Sequence, residues 1–569
     1  MLSYKKYYIK CSKLISLLKF SKKMFKGNFT RLLPFWKYYN KNKTYRDFFD
    51  QAVKKKLGSI SLNIVNKKDY KIVVENFDKD YLQMHINHIL LKNTYINFSD
   101  RYIIKKKKIS LFKIFISELK YFKYFKQFLN KFFYILSVTR NLFIFSIKKK
   151  NFFETKKYDI LKQFFHGDEY SKLDFCDEME LKKKYKILTI FDTKIKKNFS
   201  QHKQLKNFKD DYISIKNFGN FENNKLYKFN SFNDKTKKVI LYILKFFFLK
   251  PYYTSIILDF LIKVEQYDQI FKNYKIKLFV HGKTIDTNIA AIRQAADLNN
   301  ILCINYSRSY LPNKFNDVLT QPDELVFAWS KNMINNYDYN INKIKYLIHS
   351  YPYFSLLNKS NNYDFKKYKT ISLFDGIADE KNSMDPENYL LSINHILDYV
   401  ISNNETFILV KIKYNRGKEI FLKRFGDKVK KLKKINRILI LSQSYYNNHD
   451  IYKNSFLNIG MTTLSTTLEA LYNYSDGISL VQNSYDKIFL EKINKIYPFA
   501  YKDSKEFIEN FEKKIKNKKK NVDEVNKLRE FFFEQKNQKN SKKFLDIYLS
   551  SYEKDLKKSE LINRILNVY

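Results

Sequence analysis

Glycine, proline and cysteine are scarce in this chain of 569 residues, which has ten glycines, seven prolines and three cysteines. Because glycine tolerates backbone geometry that other residues avoid, each of so few is expected to mark a local need of the backbone. The cysteines, Cys11, Cys176 and Cys303, lie far apart, with no CxxC pair and no Cys/His metal spacing. A disulfide framework or a bound metal is therefore not expected, and a reducing compartment is the simple interpretation.

Long apolar runs are also missing, since no segment reaches the about 18 uninterrupted apolar residues of a membrane-spanning helix. The nearest segments, 132–147 and 239–264, are interrupted by charged residues. An apolar patch at 14–18 is too short for a secretory signal, and no small-residue cleavage site follows it. The sequence predicts a cytoplasmic protein that can lie on the inner face of a membrane as a peripheral protein without spanning it.

Positive charge is present in excess, with 107 Lys and Arg against 57 Asp and Glu and a formal net charge of +50. Such a balance ordinarily indicates a nucleic acid or an anionic membrane as partner. The abundant Lys, Asn, Ile, Tyr and Phe also share A/T-rich codons, so lysine is partly the default surface residue of this chain. The charge alone therefore assigns no partner.

Composition and periodicity divide the chain into four regions. Residues 1–180 are basic, aromatic and predicted to be largely helical, 181–350 and 369–515 are predicted α/β units, and 516–569 are predicted helices. Between residues 101 and 150 apolar residues recur every three or four positions among basic ones, which predicts a basic amphipathic helix. We favour a helix with its apolar face in a core; the alternative is a helix lying on anionic lipid.

Strands alternate with helices through both α/β units. In the first, we predict strands at 186–192, 275–280, 301–305 and 325–329, a helix at 288–299 and a polar loop at 200–236. After a predicted hinge at 351–368, we predict strands at 370–374, 406–412, 437–441, 456–459 and 477–481, with helices from 385, near 450, from 462 and from 504. This alternation predicts two Rossmann-like, doubly wound parallel sheets, whose ligands bind at the carboxyl ends of the strands.

One junction of the second unit has the chemistry of an anion site. After the predicted strand, Gly460 is expected to permit a tight turn, and five hydroxyl residues follow at the start of a helix: Thr462, Thr463, Ser465, Thr466 and Thr467. The N–H groups and dipole of a helix start attract phosphate. We expect Thr462 and Thr463 to cap this helix. The alternative is an ordinary capped helix with Glu469 on a solvated face.

Two lysines end a neighbouring predicted strand. Lys411 and Lys413 are two residues apart, so both point to the same side of that strand. Ammonium groups in this position can neutralise a leaving phosphate group, a role that Arg416 can also fill. In a chain so rich in lysine, ordinary surface residues are the alternative.

Residues 460–471 resemble the G/S-x-[ST]-T…EA-L helix of GT-B glycosyltransferases that build surface polysaccharides such as capsule and lipopolysaccharide. Segment 378–413 resembles the helix and strand that precede this motif in the family. Segment 279–330 resembles the last strands of the family's N-terminal domain. The resemblance covers about residues 275–510. The chain departs from the polyol-phosphate and Kdo transferases, because Lys411-Ile412-Lys413 stands where they carry Lys-x-His-Pro. It also lacks the glycine-rich acceptor loop that is expected after the first strand of the N-terminal domain.

The resemblance implies a GT-B-like fold with an N-terminal acceptor domain and a C-terminal nucleotide-sugar domain. In the family the helix turn binds the diphosphate of the donor, which assigns Gly460, Thr462, Thr463, Ser465 and Thr466 to donor binding with Lys411 and Lys413 beside them. The family's glutamate, here Glu469, contacts ribose or sugar hydroxyls. Members of the family generally act without a bound metal, and no cofactor beyond the nucleotide-sugar substrate is expected.

The first α/β unit is expected to supply the general base for the acceptor hydroxyl. His281 follows a predicted buried strand with Asp286 nearby, and a histidine facing the cleft from a strand end can take this role. A turn histidine bonded to backbone is the alternative. His166 is a second candidate, and Asp375 and Asp379 are expected to be N-caps rather than ligand contacts.

The predicted function is transfer of a sugar from a nucleotide-sugar donor to a glycan or lipid-linked acceptor, near an anionic membrane surface. Nucleic acid is not the expected partner. Two alternatives stay open: a sugar-nucleotide epimerase of the same fold, and a non-catalytic basic protein that binds membrane or RNA.

Overall fold

Two parallel β-sheets, each covered by helices, make up the described part of the chain. The computed structural model describes residues 70–86, 157–163, 184–191, 211–214, 233–244, 251–281, 289–306, 325–336, 345–348, 368–375, 386–412, 415–442, 448–462, 464–481, 487–516, 522–534, 538–552, 560 and 562–563. Among these residues no helix combines the length and the apolar character needed to cross a bilayer.

The N-terminal sheet has seven strands built from short apolar runs. They are β1 (Ile160–Gln163), β2 (Ile187–Phe191), β3 (Asp211–Ser214), β4 (Leu278–His281), β5 (Leu302–Tyr306), β6 (Leu325–Ala328) and β7 (Lys345–Ile348). Their order is β3-β2-β1-β4-β5-β6-β7, and neighbouring strands are parallel. The order reverses between β1 and β4, and in open parallel sheets ligands bind at the carboxyl ends of the strands beside such a reversal.

Helices from the first half of the chain cover one face of this sheet. They are α1 (Lys71–Asn76), α2 (Asp234–Leu244), α3 (Pro251–Tyr274) and α4 (Ile289–Leu298), with α5 (Lys331–Asn336) following β6. Phe279 of β4 packs its ring 6.4 Å from Tyr267 and 6.1 Å from Phe271 of α3. Because side chains alternate along a strand, Leu278 and Val280 point to the opposite face.

The C-terminal sheet repeats this plan with six strands. They are β8 (Lys369–Asp375), β9 (Thr406–Ile412), β10 (Ile438–Ser442), β11 (Leu457–Thr462), β12 (Gly477–Val481) and β13 (Ala500–Tyr501). Their order is β10-β9-β8-β11-β12-β13, all parallel, so this sheet reverses between β8 and β11.

Helices cover both faces of the C-terminal sheet. They are α6 (Pro386–Ser402), α7 (Asn415–Lys434), α8 (Asn448–Asn454), α9 (Ser465–Tyr472), α10 (Lys487–Ile496) and α11 (Ser504–Lys516). Ile459 and Met461 of β11 pack into the core formed by α6, α7 and α11. Asn458 and Gly460 alternate with them and therefore face α8 and α9.

The end of the chain returns to the N-terminal unit. Helix α12 (Val522–Phe532) lies where the two units meet, and α13 (Gln538–Ser551) packs Phe544 and Tyr548 on the N-terminal sheet beside Leu278 and Val280. α13 thus covers the face of that sheet opposite α3.

The predicted fold class is confirmed, because both units are doubly wound parallel sheets. β9 and β12 have the predicted bounds, and the helix predicted at 288–299 is α4. These elements carry continuous apolar runs or a clear helical period, the patterns that local sequence reports most directly.

The structure corrects the predicted start of the N-terminal unit. β1 is central to its sheet and residues 70–86 lie in its core, although both precede residue 181. The predicted loop at 200–236 contains β3 and the start of α2, because a polar strand of four residues has no apolar run to signal it. The predictions for residues 101–150, the hinge at 351–368 and His166 lie outside the described residues.

A buried ion pair joins α11 to the start of β12. The ammonium of Lys514 lies 2.8 Å from Asp476 Oδ1, and Tyr497 donates a hydrogen bond of 2.6 Å to Asp476 Oδ2. Burial lowers the pKa of Lys514 to about 8, although Asp476 acts in the opposite direction. The carboxylate is therefore what allows a charged lysine at this depth.

We expect Asp476→Asn to destabilise the protein by roughly 3–5 kcal/mol at pH 7, since it leaves a buried charge without a counter-ion. The penalty should shrink as the pH rises from about 6 to about 8, because loss of the carboxylate lowers the pKa of Lys514 further and the variant releases the buried proton at a lower pH than the wild type. Urea unfolding at both pH values measures this. The control is Asp476→Asn with Lys514→Met, which should recover much of the loss; a double variant as unstable as the single one would contradict the assignment.

Candidate functional site

One row of residues crosses the C-terminal sheet near its carboxyl edge. Lys411 on β9 lies opposite Phe374 on β8, and Phe374 lies opposite Gly460 on β11. Two strand spacings therefore separate the backbones of Lys411 and Gly460, about 10 Å. We call these three residues the 411–460 row. The sheet thus brings together two of the residues predicted to bind the donor, on the strands flanking β8.

Gly460 is a strand residue and not part of a turn, which corrects the prediction. It pairs with Ser479 of β12 and faces α9. The surface beneath α9 consists of small and polar side chains: Ser372, Asn458, Gly460, Gly477 and Ser479. A Cβ on Gly477 would lie 3.2 Å from Thr467 Cγ2, so α9 packs closely on this surface. A glycine at position 477 therefore allows this close approach of helix and sheet.

The start of α9 also differs from the prediction. Leu464 occupies the N-cap position, and no side chain caps the helix, whereas Thr462 ends β11 and Thr463 lies outside the described residues. Thr467 bonds to Leu464 O at 3.0 Å and to Ser479 Oγ at 2.5 Å, so its hydroxyl anchors the helix to the sheet. Ser465 and Thr466 are half-buried at the carboxyl edge. Ser465 and Thr466 thus begin α9 and lie at its first turn, as expected.

Glu469 is buried and does not lie on a solvated face. Its side chain is on α9, one turn beyond Ser465, and its Oε2 accepts a hydrogen bond of 2.7 Å from the hydroxyl of Tyr452 on α8. Only 6% of Glu469 and 1% of Tyr452 are exposed. The ring of Tyr452 packs 5.1 Å from that of Phe374, the middle residue of the 411–460 row.

Asp375 is a residue of this edge that the sequence analysis expected to be a helix cap. It ends β8, beside the reversal of strand order, and pairs with Ile412 and Met461. Its Oδ2 accepts a hydrogen bond of 2.8 Å from Tyr389, whose pKa burial and the neighbouring carboxylate raise well above its ordinary value. The signal that could have identified Asp375 as a site residue was an Asp-Gly sequence at the end of a strand beside the reversal of strand order.

His281 ends β4 beside the reversal in the N-terminal sheet. It pairs with Asn305 of β5 on one side. On the other side lies β1, where Lys162 pairs with Val280 and Gln163 is the next residue. All three polar side chains are buried. His281 stacks on Phe279 at 5.6 Å and is 1% exposed, and its role as a general base facing the cleft stays a prediction. Asp286, its predicted partner, and Lys413 lie outside the described residues.

The two units meet directly behind α9. Phe533 stacks on Trp329 at 5.8 Å and meets Tyr472 of α9 edge-on at 5.1 Å. Ser330 Oγ donates to Phe531 O at 3.1 Å, and the N–H of Glu534 donates to Trp329 O at 3.0 Å. The segment after α12 therefore links the end of β6 to the helix that borders the candidate site.

Metal ligands do not cluster in the described part of the chain, where no three His, Cys, Asp or Glu side chains are placed to hold an ion. The described polar groups at the C-terminal edge are hydroxyls, a lysine and carboxylates. Together with a helix start, they can bind an anion and hydrogen-bond to hydroxyl groups.

No family model and no curated protein matched this chain. Similar solved structures include the S. aureus MnaA–UDP complex, 11% identical over 69% of this chain and 97% of that chain, with a TM-score of 0.46. Others are UDP-GlcNAc 2-epimerase from Neisseria meningitidis bound to UDP-GlcNAc (13% identity, 68% and 98% coverage, TM-score 0.44) and the glycotransferase of kitacinnamycin (7%, 70% and 100%, TM-score 0.44). The order and direction of the strands in the two sheets define the fold.

We expect Gly477→Ala to destabilise the protein by about 1 kcal/mol, because its new methyl group would lie within 3.3 Å of Asn458 O and close to Thr467. The matched control is Gly426→Ala on α7, where a Cβ meets nothing within 4 Å. Since Gly426 directly follows the kink of α7 at Phe425, that change should alter the stability by less than about 0.5 kcal/mol. Thermal and urea unfolding compare them, and equal effects of the two substitutions would refute close packing under α9.

Proposed function

We propose that the protein is a glycosyltransferase that transfers a sugar from a nucleotide-sugar donor to a glycan or lipid-linked acceptor. The observation that carries the proposal is the 411–460 row, which places Lys411 and Gly460 at the switch point of the C-terminal sheet beside the start of α9. Surface-polysaccharide assembly is the setting that the sequence resemblance favours.

The donor diphosphate would lie at the carboxyl edge of β11. The helix start of α9 and the hydroxyls of Ser465 and Thr466 would supply donors, joined by Thr462 and Thr463 from the segment that precedes the helix. Lys411, half-buried, supplies positive charge. A helix start and a charge-assisted hydrogen bond each contribute on the order of 1 kcal/mol to phosphate binding. As the sugar–phosphate bond breaks, Lys411 and Lys413 would stabilise the negative charge that develops on the diphosphate.

The acceptor would bind over the N-terminal sheet. His281, with Asp286, is the proposed general base that takes the proton from the acceptor hydroxyl. Its position at the β1–β4 reversal supports this role, and its burial requires the acceptor hydroxyl to enter the edge between the strands. Glu469 would bind hydroxyls of the donor. A peripheral position on the inner face of a membrane would bring the enzyme to a lipid-linked acceptor.

The donor site is tested by nucleotide binding. The probe is whichever of UDP, GDP, CDP and ADP binds the wild type. We expect Lys411→Gln to weaken its binding about tenfold, because a charge-assisted contact to phosphate is lost. Lys423→Gln, at an exposed position of α7, is the matched control and should leave affinity unchanged. Calorimetry measures both. Wild type that binds none of these nucleotides would refute the proposed function.

The reaction class is tested with radiolabelled nucleotide-sugars, with and without a membrane glycolipid extract. Transfer of label to the extract is expected, and His281→Asn should lower its rate roughly 10²-fold or more while nucleotide affinity is retained. An unchanged melting temperature shows that the variant is folded. If the sugar changes configuration without any acceptor, the epimerase alternative replaces the transferase.

A further inference from the structure

We propose that the amino edge of the C-terminal sheet is a surface that binds an anionic lipid bilayer. It combines four exposed lysines at the end of α7 with two exposed apolar side chains: Lys430, Lys431, Lys433, Lys434, Ile435 and Tyr368. We call these six residues the basic edge. The proposal goes beyond the function proposed above, because the basic edge lies away from the candidate site and binds its partner without a nucleotide-sugar.

The end of α7 lies at the edge of the sheet opposite the 411–460 row. α7 connects the carboxyl end of β9 with the start of β10, and these two strands are parallel. The helix therefore runs back along the sheet and ends at its amino edge, where Tyr368 directly precedes β8. Since β9 has seven residues at about 3.3 Å each, roughly 20 Å separate this edge from the candidate site. A flat partner at the basic edge thus leaves the candidate site uncovered.

The lysines exceed what the end of a helix requires. The macrodipole of a helix places about half a negative charge at its C-terminus, which a single cation offsets. α7 carries Lys431, Lys433 and Lys434 in its last turn, with Lys430 directly before them, and all four are exposed. Asp427, an acidic neighbour on the same helix, lies 3.9 Å from Lys430, and both side chains are largely exposed. An excess of positive charge therefore faces the solvent.

The turn after α7 holds an apolar side chain among these lysines. The N–H of Asn436 donates to Lys433 O at 3.1 Å, and the N–H of Arg437 donates to Leu432 O at 2.9 Å. With Asn436 at a φ of 52°, these are the hydrogen bonds of a Schellman motif, which closes the end of a helix. Ile435, at the centre of this turn, is 46% exposed. A fixed backbone therefore presents an isoleucine to the solvent.

The composition of the basic edge favours a bilayer over a nucleic acid. Tyr368 is 40% exposed but stacks on Phe407 at 6.1 Å, so one face of its ring is covered. Arg437 at this edge is buried and donates to the carbonyls of Asn403 and Ile401. Single-stranded nucleic acids are bound largely through open aromatic faces and arginine. Lysines around apolar side chains instead suit an anionic membrane, whose headgroups attract the ammonium groups while apolar side chains enter the acyl boundary.

The test measures binding of the full chain to vesicles of equal parts phosphatidylglycerol and phosphatidylcholine at physiological salt. Replacing the four lysines of the basic edge with glutamine should weaken binding roughly 10²-fold, because each lysine near an anionic surface contributes about fivefold. The matched control replaces four exposed lysines of α2, α10 and α12 with glutamine: Lys235, Lys238, Lys495 and Lys527. It has the same net charge and should weaken binding less than about threefold, since charges away from the contact are screened.

Entry of the apolar side chain into the bilayer is tested with Ile435→Trp. Its fluorescence, after subtraction of the wild-type signal, should shift to shorter wavelength with the anionic vesicles, because the indole leaves water. Vesicles of phosphatidylcholine alone should cause no shift. Leu391→Trp, at a position of α6 that is 58% exposed, is the control and should keep the emission of an indole in water with both kinds of vesicle.

Equal effects of the two four-lysine variants on vesicle binding would overturn the proposal, as would an Ile435→Trp emission that anionic vesicles leave unchanged. If the variant of the basic edge loses affinity for a single-stranded RNA oligonucleotide and keeps its affinity for vesicles, the partner is a nucleic acid and the proposal also fails. None of these results bears on the donor site, because vesicle binding is measured without nucleotide.

Discussion

The close packing of α9 on β11 and β12 is the contact on which the candidate site depends. Gly477 leaves room for the helix, and Thr467 bonds it to the sheet through Ser479. This packing holds the first turn of α9 at the carboxyl edge, beside the reversal of strand order. The same packing places Glu469 one turn further, against Tyr452. Larger residues under the helix would displace all of these groups together.

The same helix also connects the two units. Tyr472 of α9 meets Phe533, and Phe533 stacks on Trp329 at the end of β6. Hydrogen bonds between Ser330 and Phe531 and between Glu534 and Trp329 fix the segment that lies between them. A displacement of α9 must therefore be accommodated both in its own sheet and at the N-terminal unit.

Local patterns predicted the sheets better than the site. Continuous apolar strands such as β9 and β12 were placed correctly, because burial on both faces leaves an unmistakable run. The polar β3 was missed, since its strand character comes from pairing with β2. Gly460 was expected at a turn, but it lies within β11, because the strand continues to Thr462. Tyr452 gave no signal, because its partner is 17 residues away.

By itself the sequence determined the alternation of strands and helices, the two parallel sheets and the hydroxyl-rich start of α9. Those properties follow from neighbouring residues, whose periodicity and backbone preferences act locally. Only the tertiary structure decided that Lys411, Phe374 and Gly460 share a row, that Glu469 is buried against Tyr452, and that His281 stacks on Phe279. These contacts depend on strand order and register, which arise when distant segments pair and cannot be read from any one of them.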